Sequence, residues 1–331
     1  KINADGVGAD GLTVDTNGFN TRIAKAMGGT GGMTLDGTGG GTLRLNKANT
    51  YTGGTTVDNG TLLLQYGSSG VGTIRGAVTV NAAGVIDYTT DNTFGWRPNS
   101  TSGTVESVTS LTINGGRVGG SNFRNHFWGR VTTDGTPSGF QLTMNGGELI
   151  LGGSAYNEFY NPTFNLSGDA VIRRADGNTS ANIHLRDGGD LTVNAADGAN
   201  ALISAPIRQR NGAASFNFTG PGTLTLSGGS NYWSEATTID GGRVIVTNDE
   251  ALGGQYTDKT INIFGGGVLE ANFAGRPNDH MEIKTLNLGK ANELGGTLAG
   301  TGTGHPNYGE FYLHGNVTVA GTSASEISAD V

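Results

Sequence analysis

Apolar residues recur at every second position in many short segments of the chain. The pattern is clear in "TLRL" (42–45), "LTIN" (111–114), "LTMN" (142–145), "TLTL" (223–226) and "NVTV" (316–319). A period of two predicts short β-strands with one buried face. The best helical candidate, "FNTRIAKAMG" at 19–28, is short and lies between glycine-rich segments. The sequence therefore predicts an all-β protein.

Glycine-containing turns separate these strands. An apolar strand, then Asn or Asp with one or two glycines, precedes another strand, as in "LTINGGRVGG", "LTMNGGELIL" and "TTIDGGRVIV". Asn, Asp and Gly tolerate the positive φ that a sharp turn requires. The last glycine of each turn recurs at a mean spacing of about 26 residues, which is typical of repeat architectures. These glycines are Gly60, Gly84, Gly116, Gly147, Gly168, Gly189, Gly212, Gly242, Gly267 and Gly296.

The position two residues after each turn glycine is always apolar. These residues are Leu62, Ile86, Val118, Leu149, Ala170, Leu191, Ala214, Val244, Leu269 and Leu298. A unit this short buries its apolar face only by stacking on its neighbours. Short strands and glycine turns favour a parallel β-helix of about 12 rungs, spaced about 4.8 Å apart. We expect one continuous domain over residues 1–331, which reads as a fragment or processed part of a longer secreted chain.

The rungs of such a solenoid pair with one another, so each end carries an unpaired sheet edge. A natural protein caps that edge, continues past it, or stacks on another copy. The sequence therefore leaves end-to-end or lateral self-association open as a partner interaction.

Two longer stretches repeat closely. "GGGTLRLNKANTYTGGTTVDNGTLLL" (39–64) matches "GPGTLTLSGGSNYWSEATTIDGGRVIV" (220–246). In this alignment Tyr51 corresponds to Tyr232, and one extra residue follows in the second stretch. The second stretch departs from the first at "YWSEATT", where we expect a wider loop.

Both stretches resemble the passenger-associated transport repeat of bacterial autotransporters. Residues 13–43 resemble the segment that leads into such repeats, and residues 294–321 resemble the way such arrays close. The resemblance implies a secreted right-handed β-helix, extracellular or displayed on the bacterial cell surface after export through a C-terminal membrane barrel. Nothing after Ala320 resembles that barrel, so we expect a fragment or a passenger that uses another secretion route.

Composition narrows the possible functions. Glycine supplies 60 of 331 residues and cysteine is absent, which excludes disulfides and thiolate chemistry. The formal net charge of −8 argues against a nucleic-acid partner, because phosphate binding needs a basic surface. No run approaches the ~18 apolar residues of a membrane-spanning helix.

Three carboxylates follow turn glycines and are candidate acids. If consecutive units stack in register, Glu148, Asp169 and Asp190 form a column on the outer face. Neighbouring carboxylates about one rung apart overlap the ~5–5.5 Å separation of retaining glycosidases, and such a column could also hold Ca²⁺. The alternative, which the sequence favours, is a solvated outer face of a strand.

The segment "SNFRNHFWGR" (121–130) has the most unusual composition. It contains the glycan- or partner-binding candidates Phe123, Arg124, His126, Trp128 and Arg130. Trp and Arg are enriched in interaction hot spots. The favoured alternative is an inserted loop whose aromatic residues fold back onto the solenoid. A second aromatic segment, "YNEFYNP" (156–162), is expected to lie beside it.

The remaining residues suggest no chemistry. The five histidines lack metal-ligand spacing, and no G-x-S-x-G nucleophile motif occurs. We expect no metal, no cofactor and no catalysis, and a structural or adhesive extracellular role. A polysaccharide-active β-helix enzyme and a non-catalytic glycan-binding module remain the alternatives.

Overall fold

The structure, a computed structural model, describes residues 7–67, 71–95, 107–120, 122–127, 139–153, 156–253, 259–276, 278–301, 304–307, 309–329 and 331. This described part contains 28 β-strands and no helix. The helical candidate at 19–28 instead contains a strand, Thr21–Ile23. The prediction of an all-β protein is confirmed.

The strands are short and cover both compact units of the chain. In chain order they are β1 (Leu12–Val14), β2 (Thr21–Ile23), β3 (Met33–Asp36), β4 (Thr42–Leu45), β5 (Thr55–Leu64), β6 (Gly76–Tyr88), β7 (Val108–Asn114), β8 (Arg117–Gly119), β9 (His126–Phe127), β10 (Gln141–Asn145), β11 (Glu148–Leu151), β12 (Tyr156–Tyr160), β13 (Thr163–Ser167), β14 (Val171–Arg174), β15 (Asn182–Arg186), β16 (Leu191–Ala195), β17 (Asn200–Ile203), β18 (Ile207–Arg210), β19 (Phe216–Thr219), β20 (Thr223–Leu226), β21 (Thr237–Asp240), β22 (Arg243–Val246), β23 (Thr260–Phe264), β24 (Val268–Ala271), β25 (Met281–Leu288), β26 (Thr297–Gly300), β27 (Phe311–Val319) and β28 (Glu326–Ser328). Residues 1–162 and 172–183 form the first unit, and residues 163–171 and 184–331 form the second.

In the first unit the strands stack in two parallel columns. The first column contains β1, β3, the N-terminal parts of β5 and β6, β7 and β10. The second column contains β2, β4, the C-terminal parts of β5 and β6, β8 and β11. Each coil of the chain therefore passes through a first-column strand, a turn, a second-column strand and a loop. Two of these loops carry β9 and β12, which also pair in parallel.

The second unit repeats the same arrangement. Its first column contains β13, β16, β19, β21, β23, β25 and β27. Its second column contains β17, β20, β22, β24, β26 and β28. Parallel strands that recur in register in each unit confirm the predicted parallel β-helix class. The handedness of the coil and the single continuous domain stay predictions.

The core of each unit follows the predicted pattern. All ten apolar residues placed two positions after the turn glycines are buried, with at most 1% of their surface exposed. In-register stacking brings like residues together, as with Leu43 beside Leu62 and Leu62 beside Ile86. Burial of these side chains is the main favourable term in stacking the coils.

The turn glycines do not all mark the same corner of the coil. Gly60 and Gly242, with φ of 79° and 57°, connect first-column to second-column strands. Gly189 and Gly212 instead precede the first-column strands β16 and β19. Every corner of a β-helix needs the same Asn, Asp and Gly chemistry, so the sequence pattern alone does not distinguish the corners.

Asparagine side chains link successive coils at the turn between the two columns. In the first unit, Asn81 Nδ2 donates to Asp58 Oδ1 at 2.6 Å, Asn114 Nδ2 to Asn81 Oδ1 at 2.8 Å, and Asn145 Nδ2 to Asn114 Oδ1 at 2.7 Å. In the second unit, Asn194 donates in the same way to Asn165 at 2.8 Å. The Asn of the N-G-G pattern therefore joins coils as well as initiating a turn.

Candidate functional site

The predicted carboxylate column does not form in the second unit. Asp169 lies at the turn before β14, where the Asn200 amide donates to the Gly168 carbonyl at 3.0 Å. Asp190 lies at a different corner, before β16, where its Oδ1 accepts the Ser215 amide proton at 2.8 Å. The expectation that these two acids stack is wrong, because the glycines that precede them mark different corners.

Glu148, the third candidate acid, belongs to an ion-pair cluster of the first unit. Arg173 Nε donates to Glu148 Oε1 at 3.3 Å, and Arg173 Nη1 donates to Asp176 Oδ1 at 2.8 Å. Burial alone would lower the pKa of Arg173, but Glu148 and Asp176 hold it above its usual value. Glu148 therefore holds an arginine in place. This pair could not be predicted from the sequence, because its members lie 25 residues apart.

A polar cleft lies beside this cluster, on the outer face of the second column. It has a volume of about 210 Å³ and is lined by Asp87, Arg117, Gly119, Gly120, Ile150, Arg173, Ala175 and Asp176. A second cleft, of about 380 Å³, shares Asp176 and is lined by Asn122, Gly153, Gly177, Asn178, Thr179 and Ser180. We call the first the Gly119 cleft and the second the Asn178 cleft.

Tyr88 forms the inner support of the Gly119 cleft. Its buried ring lies where a Cβ on Gly120 would approach to 2.6 Å, so only glycine fits at position 120. The Tyr88 hydroxyl donates to the Ile150 carbonyl at 3.4 Å. Burial raises the pKa of this hydroxyl to about 12, so it stays protonated and keeps donating at neutral pH.

The "SNFRNHFWGR" segment turns its described aromatic residues inward. Phe127 is fully buried and stacks on Phe159 with ring centroids 4.3 Å apart. His126 is also buried, and its Nδ1 lies 3.0 Å from Glu158 Oε2. The alternative in which the aromatic residues fold back is therefore the correct one for this part of the segment, and the "YNEFYNP" segment does lie beside it, since β12 pairs with β9.

The other binding candidates of that segment do not form an aromatic patch in the described part of the chain. Phe123 is half-buried, and Arg124 Nε lies 3.4 Å from Asp91 Oδ2. Trp128 and Arg130 lie outside the described residues. The nearest open surface is the Asn178 cleft, which Asn122 lines.

The two repeated stretches share a buried motif of Asn, an aromatic residue and Thr. Asn49 accepts the Met27 amide proton at 2.9 Å and donates to the Thr73 carbonyl at 2.7 Å, which ties three coils together. Tyr51 and Thr55 follow it, with their side-chain oxygens 2.6 Å apart. Burial raises the pKa of the Tyr51 hydroxyl, and the hydrogen bond with Thr55 partly offsets that rise.

The second stretch builds the same motif from Asn231, Trp233 and Thr237. Asn231 accepts the Ile207 amide proton at 2.7 Å and donates to the Ala251 carbonyl at 2.6 Å. Trp233 Nε1 donates to Thr237 Oγ1 at 3.0 Å. Trp233 is fully buried, whereas Tyr232 is 45% exposed. The counterpart of Tyr51 is therefore Trp233, and the alignment with Tyr232 was wrong, because the extra residue lies before Asn231.

Comparison with protein families identifies these stretches. The sequence profile of the family described as "Passenger-associated-transport-repeat" matches residues 38–64 and 219–246. The chain carries two passenger-associated transport repeats. The resemblance to autotransporter passengers is thereby confirmed, and the family implies secretion to the cell surface or the extracellular space. No curated protein and no solved structure shows a significant match to the chain.

A buried lysine, Lys259, lies beside Trp233 of the second passenger repeat. Lys259 is 4% exposed, its Nζ donates to the Trp233 carbonyl, and it lies 5.2 Å from the centroid of the Trp233 ring. No carboxylate in the described part of the chain forms an ion pair with Lys259. Burial lowers its pKa to about 8.

A histidine cluster outside the passenger repeats was missed by sequence reasoning. His280 Nε2 and His314 Nε2 lie 3.7 and 4.0 Å from the Glu282 carboxylate, and the rings of His280 and His305 have centroids 5.0 Å apart. Within the described ranges no group of three or more His, Asp or Glu residues has an arrangement that could hold a metal ion. Across those same ranges the structure also contains no helix long and apolar enough to span a membrane.

Proposed function

We propose that the protein is a non-catalytic, adhesive β-helix passenger that acts outside the cell. The observation that carries this proposal is that two of the candidate acids hold neighbouring groups of the fold in place. Glu148 holds Arg173, and Asp190 holds the Ser215 amide. Acids that are engaged in such contacts stabilise the scaffold. The polar clefts of the first unit are then the surface available to a partner.

Adhesion without turnover is the expected result of a direct test. Beads coated with the purified chain should be retained under flow on surfaces that carry polysaccharides or bacterial cells. Beads coated with an unrelated protein of similar net charge serve as the control. In the same wells, a reducing-end assay should detect no release of sugar products.

Catalysis would produce a different result. If products are released, and if Glu148→Gln or Asp190→Asn stops that release while far-UV circular dichroism is unchanged, the polysaccharide-active enzyme is the correct alternative. Equal retention of the coated beads and the control beads would contradict the adhesive role.

Self-association is a second candidate property, which one feature of β27 and β28 favours. Val317, Val319 and Ile327 are 44%, 62% and 39% exposed. Val317 and Val319 pair in register with the buried Leu286 and Leu288, so they continue the inward-facing apolar rows. A second copy offers β1 and β2, which are a first-column and a second-column strand of its first unit, as matching partners.

Light scattering after size-exclusion chromatography tests this association. The wild-type chain should form concentration-dependent oligomers, and Val319→Asp should reduce them because a charge then replaces an apolar contact. Thr318→Asp is the matched control, since Thr318 is the neighbouring outward-facing residue. A wild-type chain that stays monomeric at all concentrations would exclude this candidate.

A further inference from the structure

We infer that the Gly119 cleft, extended by the Asn178 cleft, is a binding site for a neutral oligosaccharide. This inference rests on the adhesive function proposed above and names the site and the ligand class. It relies only on described residues of the first unit.

The Gly119 cleft lies where one outward position of the second column is a glycine. Asp87 faces outward on β6, and Gly119 follows on the next coil, since Ile86 pairs with Val118. Ile150 is the partner of Gly119 on the coil after that. A Cβ on Gly119 would lie 2.4 Å from Ile150 Cβ. Glycine is therefore required here, because Ile150 lies against this position. The gap of the cleft lies beside it and is lined by Asp87, Arg117 and Arg173.

The walls of this gap offer both donors and acceptors. The Arg117 guanidinium makes no ion pair or hydrogen bond to any described residue, so its donors are open to a ligand. Asp87 uses Oδ1 to accept the Tyr88 amide proton at 2.8 Å, which fixes its carboxylate and leaves Oδ2 available. A sugar hydroxyl donates one hydrogen bond and accepts others, so neighbouring hydroxyls need this mixture.

The charges that line the gap favour a ligand without net charge. Arg117 and Arg173 contribute two positive charges to the lining, and Asp87 and Asp176 contribute two negative charges. Glu148, which pairs with Arg173, adds a third negative charge beside the lining. An acidic sugar would meet the two carboxylates, and an amino sugar would meet the two guanidinium groups. Arg173 is already held by Glu148 and Asp176, so its position does not depend on the ligand.

The Asn178 cleft extends the site with uncharged polar groups. It shares Asp176 with the first cleft and adds the side chains of Asn122, Asn178, Thr179 and Ser180. Its volume of about 380 Å³ falls within the range of about 300–1,000 Å³ that is usual for small-molecule sites. The two clefts together suit a chain of several sugar units.

Binding to immobilised neutral hexose tetrasaccharides tests this site. The wild-type chain should bind them, and Arg117→Ala should weaken binding by about tenfold to a hundredfold, as expected for the loss of hydrogen bonds from a charged group. Arg44→Ala is the matched control, because Arg44 is also exposed and lies on the second column, outside the cleft. Arg44→Ala should bind like the wild type.

A second variant tests the charge argument. Asp87→Asn keeps a side-chain oxygen for the Tyr88 amide but removes one negative charge from the lining. It should shift preference from the neutral tetrasaccharides to matched tetrasaccharides that contain uronic acid. All variants are compared by thermal unfolding, so that loss of fold is not read as loss of binding.

Four outcomes would overturn the inference. They are no binding of neutral sugars by the wild type, a wild-type preference for uronic acids, equal binding by Arg117→Ala, and no shift of preference for Asp87→Asn. If any of these occurs while the coated beads still adhere, the site or ligand class is wrong and the adhesive function stands. If the beads also fail to adhere, the proposed function falls as well.

Discussion

Trp233→Ala is expected to lower the free energy of unfolding of the second unit by about 3–5 kcal/mol, the usual cost of deleting a large buried aromatic side chain. Trp233 is fully buried and stacks on Phe216 with ring centroids 5.3 Å apart. Its removal leaves a cavity and also orphans the Thr237 hydroxyl. Urea denaturation followed by far-UV circular dichroism measures the change.

Tyr232→Ala is the control for this experiment. The Tyr232 side chain is 45% exposed, and its backbone bonds with Ile207 and Gln209 survive the substitution. We expect a change within about 0.5 kcal/mol, as for other surface substitutions. A loss at Tyr232 that equals the loss at Trp233 would contradict the assignment of Trp233 as the buried counterpart of Tyr51.

Raising the pH from 8 to 10.5 is expected to increase the contribution of Lys259 to stability by about 3 kcal/mol. The pKa of Lys259 falls from 10.5 in the unfolded chain to about 8 in the fold. Between these values the unfolded chain binds the extra proton, so stability rises with pH. Below pH 8 the lysine is charged in both states, and the fold carries the full cost of burying the charge.

Lys259→Met isolates this effect. The variant should be more stable than the wild type at pH 7, and the difference between them should shrink as the pH rises to 10.5. The free energy of unfolding of the variant is compared with that of the wild type at each pH. This is necessary because the raised pKa values of buried Tyr51 and Tyr88 lower stability at high pH in both proteins. Lys284→Met, at an exposed lysine, is the matched control. A constant difference between wild type and Lys259→Met would contradict the buried charge.

The stacking of the coils could be predicted from the sequence because it depends on local alternation. Leu62, Ile86 and Val118 are buried in one row, since each lies two residues after a turn glycine. The passenger repeats were recognised for a similar reason, because their strand and turn residues keep nearly constant spacing.

The outer surface could not be predicted, because it depends on the register between coils of unequal length. Glu148 meets Arg173 rather than Asp169 only once the loops have fixed which corner each residue occupies. The error at Tyr232 has the same origin, since one extra residue moved the buried aromatic position to Trp233. The Gly119 cleft is harder still to predict, because the residue that marks it in the sequence is a glycine.

The signal for the correct aromatic residue was nevertheless present in the sequence. In both repeats the buried aromatic lies two residues after an Asn and four residues before a Thr. Aligning the stretches on this spacing, rather than on the shared tyrosine, pairs Tyr51 with Trp233. In these two repeats, the spacing of the hydrogen-bonding side chains therefore aligns the coils better than the identity of the aromatic residue does.

The asparagine ladder has a consequence for how such a protein can change its length. Each rung donates to the rung before it and leaves its own oxygen for the rung after it, as Asn114 does between Asn81 and Asn145. The joins among Asn81, Asn114 and Asn145 are therefore chemically the same. Removal of the 33 residues that separate Asn114 from Asn81 would let Asn145 meet Asn81 with an equivalent bond. Whole coils can thus be gained or lost by in-frame duplication or deletion while the ladder stays continuous.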